Sequence, residues 1–161
     1  SQSLESVSLP DGVTALGNSA FYSCGKLRAC ALPASVRTIG SSAFYACSSM
    51  SNVVFPGRIE SVGSSAFFKC TALTEVRFVQ DVGSIGETAF YNCAALTNVA
   101  FGAALTNIQN YAFSNCESLP GLSLPSNVVS IAEGAFYNCR AFTAFEFPSN
   151  VTAVSDAVLA A

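Results

Sequence analysis

The sequence predicts an α/β solenoid: seven 23-residue rungs, a parallel concave β-sheet, and short helical turns on the convex side. Three observations predict it. The dipeptide Ala-Phe recurs at Ala20-Phe21, Ala43-Phe44, Ala66-Phe67, Ala89-Phe90, Ala112-Phe113 and Ala135-Phe136, each step being 23 residues with no insertion. A cysteine stands three residues after each of these phenylalanines, at Cys24, Cys47, Cys70, Cys93, Cys116 and Cys139. The chain's 161 residues are themselves seven times 23.

The strand comes first in each unit. Apolar residues follow each cysteine at plus three, plus six and plus eight: Leu27/Cys30/Leu32, Met50/Val53/Phe55, Leu73/Val76/Phe78, Leu96/Val99/Phe101, Leu119/Leu122/Leu124 and Phe142/Phe145/Phe147. The first unit opens the same way with Leu4, Val7 and Leu9. The last two members of each set alternate with a single polar or small residue, the period-two mark of a strand with one buried face. A proline usually follows (Pro10, Pro33, Pro56, Pro125, Pro148), and it ends the strand because it cannot donate to a ladder.

Two further apolar positions three apart come next, from Val13/Leu16 through Val36/Ile39, Ile59/Val62, Val82/Ile85, Leu105/Ile108 and Val128/Ile131 to Val151/Val154. A polar pair such as Ser41-Ser42, Ser64-Ser65 or Glu87-Thr88 then precedes Ala-Phe. Serine, threonine and acidic residues suit the start of a short helix, so one helical turn is expected to carry Ala-Phe and end near the cysteine. Gly17, Gly40, Gly63 and Gly86 mark its entry, and Gln109, Ala132 and Ser155 replace them later, so left-handed backbone is not obligatory there. Asn92, Asn115 and Asn138 are placed to cap carbonyls at its end. A three-strand parallel β-helix repeats at a similar length, but alternation fails across Ser-Ser-Ala-Phe-Tyr-x-Cys, which favours the helical turn.

One 23-residue unit cannot bury its own apolar face, whereas stacked units bury a continuous core. Phe44 is then expected over Phe21, and Phe67 over Phe44. Parallel strands at roughly 4.8 Å would make seven rungs a body on the order of 35 Å long. The same spacing places successive cysteine Cα atoms about 5 Å apart, within disulfide range, yet parallel Cβ vectors fit the required dihedral poorly. Buried thiols filling a small apolar slot are therefore expected. Cys30 lies off this column, in a strand core position filled by valine in other units.

The succession L-x-x-V-x-F-P, V-x-x-I-G and S-S-A-F-Y-x-C resembles the BspA-type (Treponema-type) leucine-rich repeat. "LPASVRTIGSSAFYAC" at residues 32–47 and "VGSIGETAFYNCAALTNVAF" at residues 82–101 carry the resemblance most fully, and it covers essentially the whole chain. The resemblance implies a non-catalytic protein-binding scaffold similar in role to surface adhesins of oral and gut bacteria and parasitic protists. Both ends depart from the pattern: Ser1 stands where a cysteine would fall, and the last unit reads Ala157-Val158-Leu159. Neither end reads as a polar capping repeat. The expectation is a single solenoid over residues 1–161, a piece of a longer array or one whose ends are covered by neighbours.

Composition narrows the functions. Charged residues make up 11% and apolar residues 51% of the chain, with a net charge of −3. The seven lysines and arginines are scattered, with no basic stripe for a phosphate backbone, so no nucleic-acid partner is expected. No apolar run approaches the ~18 residues a membrane helix needs, and no signal peptide is visible. Histidine is absent, which removes Ser-His and Cys-His nucleophile pairs and imidazole metal ligands. The cysteines lack C-x-x-C spacing, the ten carboxylates are dispersed, and Gly-Ser-Ser-Ala-Phe lacks the lysine of a phosphate loop. No enzyme, metal or cofactor is expected.

Surface chemistry remains. Strand residues flanking the inward positions should face the concave side: Ser6/Ser8, Ala29/Ala31, Asn52/Val54, Glu75/Arg77, Asn98/Ala100, Gly121/Ser123 and Ala144/Glu146. The candidate partner-binding residues are Asn52, Val54, Glu75, Arg77, Asn98 and Glu146. Glu75 and Arg77 either set the register of a bound protein or merely solubilise the sheet, since exposed ion pairs contribute little. A second stripe, Tyr22, Tyr45, Phe68, Tyr91 and Tyr137, is interrupted by Ser114. It forms an aromatic edge that either holds a sugar or partner segment or covers the convex core. Asn150-Val151-Thr152 is an N-glycosylation sequon. The leading expectation is a cell-surface or secreted adhesion domain. The alternatives are a structural spacer within a larger, intracellular assembly, joined to adjacent repeats or subunits at its ends, and a carbohydrate-binding module.

Overall fold

The structure is a computed structural model and describes residues 3–160. Every unit adds to a parallel stack, with equivalent residues lying one 23-residue repeat apart in register, as in Val53 opposite Val76 and Val76 opposite Val99. The chain alternates between two kinds of strand. The first kind comprises β1 (Ser6–Ser8), β3 (Ala29–Ala31), β5 (Asn52–Phe55), β7 (Glu75–Phe78) and β9 (Asn98–Ala100). The second comprises β2 (Ala15–Leu16), β4 (Thr38–Ile39), β6 (Ile59–Val62), β8 (Val82–Ile85), β10 (Asn107–Ile108) and β11 (Ser130–Ile131).

The architecture departs from the expected one in its sheets. The apolar pair after the proline does not merely turn the chain: it builds a continuous six-stranded parallel sheet, β2-β4-β6-β8-β10-β11. The first kind of strand forms a β1-β3 pair and a β5-β7-β9 sheet. It is absent from the sixth and seventh repeats, so a regular seven-rung sheet does not form.

The expected helical turns are also absent: no helix occurs among the described residues. The Ala-Phe segment is a run of tandem turns whose N–H groups point alternately along the chain and across to the next repeat. The N–H groups of Ala20, Tyr22 and Cys24 donate three residues back, to Gly17, Ser19 and Phe21. Those of Ser19, Phe21 and Ser23 donate to the carbonyls of Ser41, Ala43 and Tyr45, at 2.9, 2.7 and 2.7 Å. The same three cross-bonds recur at each later junction, ending with Gly134 to Asp156, Phe136 to Val158 and Asn138 to Ala160.

The physical reason is spacing. A helix with its side chains is about 10–12 Å across, whereas the Phe44 and Phe67 rings stack at 5.1 Å. Units stepping by that distance have no room for helices but place backbones within bonding reach. The alternation requires left-handed backbone twice per repeat: Ser19 and Ser23 at φ 56° and 54°, Ser42 and Ala46 at 56° and 54°, Ser65 and Lys69 at 56° and 58°. Asn92, Asn115 and Asn138 occupy the second such position at φ 57°, 59° and 57°, so they serve a turn that asparagine tolerates well and not a helix end.

The core runs the length of the stack. Phe21, Phe44, Phe67, Phe90, Phe113 and Phe136 form an unbroken column, with steps of 5.2, 5.1, 5.1, 5.1 and 5.7 Å. Phe55 meets Phe67 edge-on at 6.1 Å, tying the first sheet to this column. Phe55 and Phe78, on the sheet side, stack at 4.8 Å.

Candidate functional site

Five of the six predicted partner-binding residues share the β5-β7-β9 sheet. Asn52 pairs in register with Glu75 and Glu75 with Asn98, while Val54 pairs with Arg77. The alternation of these strands buries Val53, Phe55, Val76, Phe78 and Val99 and turns the intervening side chains outward. Asn52, Val54, Arg77 and Asn98 are exposed and Glu75 is half-buried. Asn98 Nδ2 donates to Glu75 Oε1 at 3.3 Å. The face therefore joins a carboxylate, two amides, a guanidinium and an exposed valine in two adjacent columns.

Glu146 is not brought to this face. It lies in the seventh repeat beyond the end of the sheet, exposed beside Phe145 and Phe147.

The aromatic edge divides as well. Tyr22, Tyr45, Phe68 and Tyr91 form one stack at 4.7, 4.8 and 4.9 Å, with ring planes within 9°. Lys69 Nζ sits 5.6 Å from the Phe68 ring centroid. Ser114 ends the stack and is buried, leaving Tyr137 apart from it. Rings stacked on one another occupy each other's faces, so Tyr45 and Phe68 offer solvent only their edges.

The cysteine column does more than fill space. The Sγ of Cys47, Cys70, Cys93, Cys116 and Cys139 each donates to the carbonyl of the phenylalanine one repeat earlier, at 3.1, 3.1, 3.2, 3.2 and 3.2 Å. These five are thiols and form no ladder disulfides. Burial pushes the Cys47 and Cys139 thiols up to about 12, helped at Cys47 by the neighbouring Cys24. Burial, and then neighbouring thiols, hold Cys70, Cys93 and Cys116 well above the ordinary thiol value. Cys30, half-buried in β3, is raised to about 11 by desolvation. Sequence reasoning assigned this column to packing alone; the period shows a side chain recurring, not the carbonyl it addresses.

Polar side chains outside the sheets also stitch repeats together. Asn127 Nδ2 donates to Ala103 O at 2.8 Å and Asn150 Nδ2 to Ser126 O at 2.7 Å, so the sequon's amide is engaged. Asn138 Nδ2 reaches Asn115 Oδ1 at 2.6 Å. The Tyr111 hydroxyl donates to Glu133 Oε1 at 2.7 Å, which raises the phenol's pKa. Among the described residues no group of three or more His, Cys, Asp or Glu side chains is placed to hold a metal ion, and no helix is long and apolar enough to cross a membrane.

The comparisons agree with this architecture. Six copies of the BspA type leucine rich repeat region match residues 1–97 and 37–161. Among solved structures, the chain is similar to a leucine-rich repeat protein of T. pallidum at 32% identity and a TM-score of 0.85, covering 94% of this chain and 72% of that one. A leucine-rich repeat protein of Eubacterium ventriosum matches at 25% identity and a TM-score of 0.87, over 96% of this chain and 42% of the other. A leucine rich cell surface protein of Faecalibacterium prausnitzii matches at 30% identity and a TM-score of 0.78, over 88% and 38%. The chain thus spans less than half of the last two relatives. No curated protein sequence matches it. The unbroken period, the stacked Ala-Phe column and these matches together make the chain a member of the BspA-type leucine-rich repeat family.

Proposed function

We propose that this chain is a non-catalytic adhesion scaffold that binds another protein through the face of the β5-β7-β9 sheet, at a cell surface. The observation that carries the reading is the cluster of Asn52, Val54, Glu75, Arg77 and Asn98 in register on one three-stranded sheet. Arg77 supplies a planar multidentate donor, Glu75 an acceptor braced by Asn98, and Val54, 38% exposed, an apolar contact. Elsewhere along these strands the outward residues are mainly serine and alanine, which offer little to recognise. The surface location draws on the F. prausnitzii relative described as a cell surface protein.

The test is binding of the chain to an array of immobilised extracellular-matrix and bacterial surface proteins, repeated with Glu75→Lys and Arg77→Glu. Loss of a captured partner in both variants, with an unchanged melting temperature, supports the sheet face. Capture undiminished in both variants removes it.

A further inference from the structure

Of the chain's five tyrosines, two are stacked on each other. The Tyr22 and Tyr45 rings lie 4.7 Å apart, with planes 9° from parallel. No other pair of tyrosine rings is in contact among the described residues. Phe68 separates Tyr45 from Tyr91, at 4.8 and 4.9 Å, and Ser114 takes the ring's place before Tyr137. Backbone bonds hold the pair in place: Tyr22 N–H donates to Ser19 O at 3.1 Å, and Ser23 N–H to Tyr45 O at 2.7 Å. Tyr22 is 50% exposed and Tyr45 is half-buried. Neither hydroxyl is engaged by another protein group, whereas that of Tyr111 is held by Glu133.

A 23-residue period stacks equivalent rings whatever their chemistry. Two phenols in ring contact, however, are also the arrangement that oxidative coupling requires. In the coupled product the ring centres lie about as far apart as they do here, so coupling asks one ring to rotate and leaves the backbone where it is. Tyr22 has that freedom, since no ring covers its other face among the described residues.

We propose that Tyr22 and Tyr45 form a modification site, a covalent cross-link between the first and second repeats closed by a peroxidase-class one-electron oxidant with hydrogen peroxide. Each phenol gives up one electron and its hydroxyl proton. The two phenoxyl radicals join through a Cε of each ring, ortho to the hydroxyl, forming one C–C bond. Each of those carbons then releases its hydrogen as a proton and each oxygen takes one up, which restores both phenols. The two hydrogen atoms removed in all reduce one hydrogen peroxide to two waters. Ring contact makes the radical encounter intramolecular. The product ties a repeat whose Val7, Leu9 and Phe21 are only part-buried to one whose Ala43, Phe44 and Cys47 are fully buried. Like a disulfide, it stabilises the fold by closing a loop in the unfolded chain. The site shares no residue with the Glu75–Arg77 face.

The experiment treats the full chain with a haem peroxidase and limiting hydrogen peroxide, then isolates the monomer. Expected are dityrosine fluorescence, a mass lower by two hydrogens, and a tryptic product joining residues 1–26 to residues 38–58. Tyr22→Phe and Tyr45→Phe, which keep the rings stacked, should each abolish that product, and Tyr91→Phe should leave it unchanged. Phe68→Tyr puts a phenol against Tyr45 and Tyr91 and should add a product containing residues 59–69. The cross-linked monomer should unfold at a higher urea midpoint than the untreated chain. Persistence of the product in Tyr22→Phe, dityrosine confined to dimers or to residues 78–140, ring hydroxylation in place of coupling, or an unchanged midpoint would each overturn the proposal.

Discussion

The Cys70 thiol donates to the Phe44 carbonyl at 3.1 Å, and the same oxygen accepts the Cys47 backbone N–H at 3.1 Å. One carbonyl thus closes a turn within its own repeat and anchors the next repeat above it. The arrangement recurs at Phe67, which accepts from Cys70 N–H and Cys93 Sγ. Cys93→Ala removes the second bond and one sulfur's volume but leaves the carbonyl bonded once. The expected loss is about 1–2 kcal/mol in urea unfolding. Cys93→Ser keeps a donor and should lose less; equal losses in the two variants would reduce the thiol to a space filler.

The same column makes stability sensitive to alkali. Cys47 is raised from 9.0 to about 12 in the fold, chiefly by burial, and Cys70, Cys93 and Cys116 are raised in the same direction. A group whose folded pKa lies above its unfolded value contributes stability that is complete below the unfolded value, here 9.0, and is lost as pH rises towards the folded one. Above pH 9 the unfolding constant should rise about tenfold per pH unit for each thiol that ionises only on unfolding. Thermal melts at fixed ionic strength between pH 7 and 11 measure this. A flat profile above pH 9 would contradict it.

Phe67 packs between Phe44 and Phe90, 5.1 Å from each, and meets Phe55 edge-on. It is fully buried, and backbone bonds on either side keep the neighbouring repeats from collapsing into the space it leaves. Phe67→Ala should cost about 3–5 kcal/mol. Phe21→Ala, in the half-exposed first ring of the column, should cost distinctly less, and urea midpoints of the two variants compare them.

How much of this was legible in the residues depends on which atoms carry the information. Phe44 over Phe21 and the parallel register followed from the period alone, because equivalent side chains can share a core only by stacking. The outward alternation of Asn52, Val54, Glu75 and Arg77 was equally readable. The convex turns were not. Ser41-Ser42 before Ala43-Phe44 suits a helix start as well as a left-handed turn, and only the 5 Å step between repeats decides between them. The second sheet hid in two-residue strands such as Thr38–Ile39, too short for alternation to register. Glu146 was read by its place in the repeat, and that place is not a strand, because the pairing of the first kind of strand ends with β9 two repeats earlier.

Left-handed backbone at Ala46 has no compensation from its own side chain. Its φ is 54°, and its N–H crosses to Phe68 O at 2.7 Å, so the junction enforces a conformation alanine disfavours by about 1–2 kcal/mol. Ala46→Gly relieves that strain and adds flexibility to the unfolded chain, leaving a net gain of about 0.5–1 kcal/mol. The control is Ala43→Gly in the same turn, where φ is not positive and the methyl is fully buried. It should destabilise, and a gain there would mean that glycine acts by something other than backbone relief.

Gly63 illustrates a different demand on the same turn. Its φ is not in the left-handed region, yet a Cβ there would lie 2.7 Å from Gly40 C and Ser41 N and 2.8 Å from Ile39 O, all backbone atoms of the repeat below. The Gly63 N–H bond to Ile39 O, at 2.8 Å, draws the two repeats together at that corner. The glycine column therefore exists for approach between repeats, and Gly63→Ala should cost about 1–3 kcal/mol by forcing the repeats apart. Gln109 and Ala132 hold the same column in later repeats, where the equivalent bonds to Ile85 O and Ile108 O are 3.1 and 2.9 Å. Gly17, at the first repeat, has nothing within 4 Å of a built Cβ, so Gly17→Ala should be close to neutral. Equal urea midpoints for the two variants would show that the corner yields without cost, and the steric account of the column would fail.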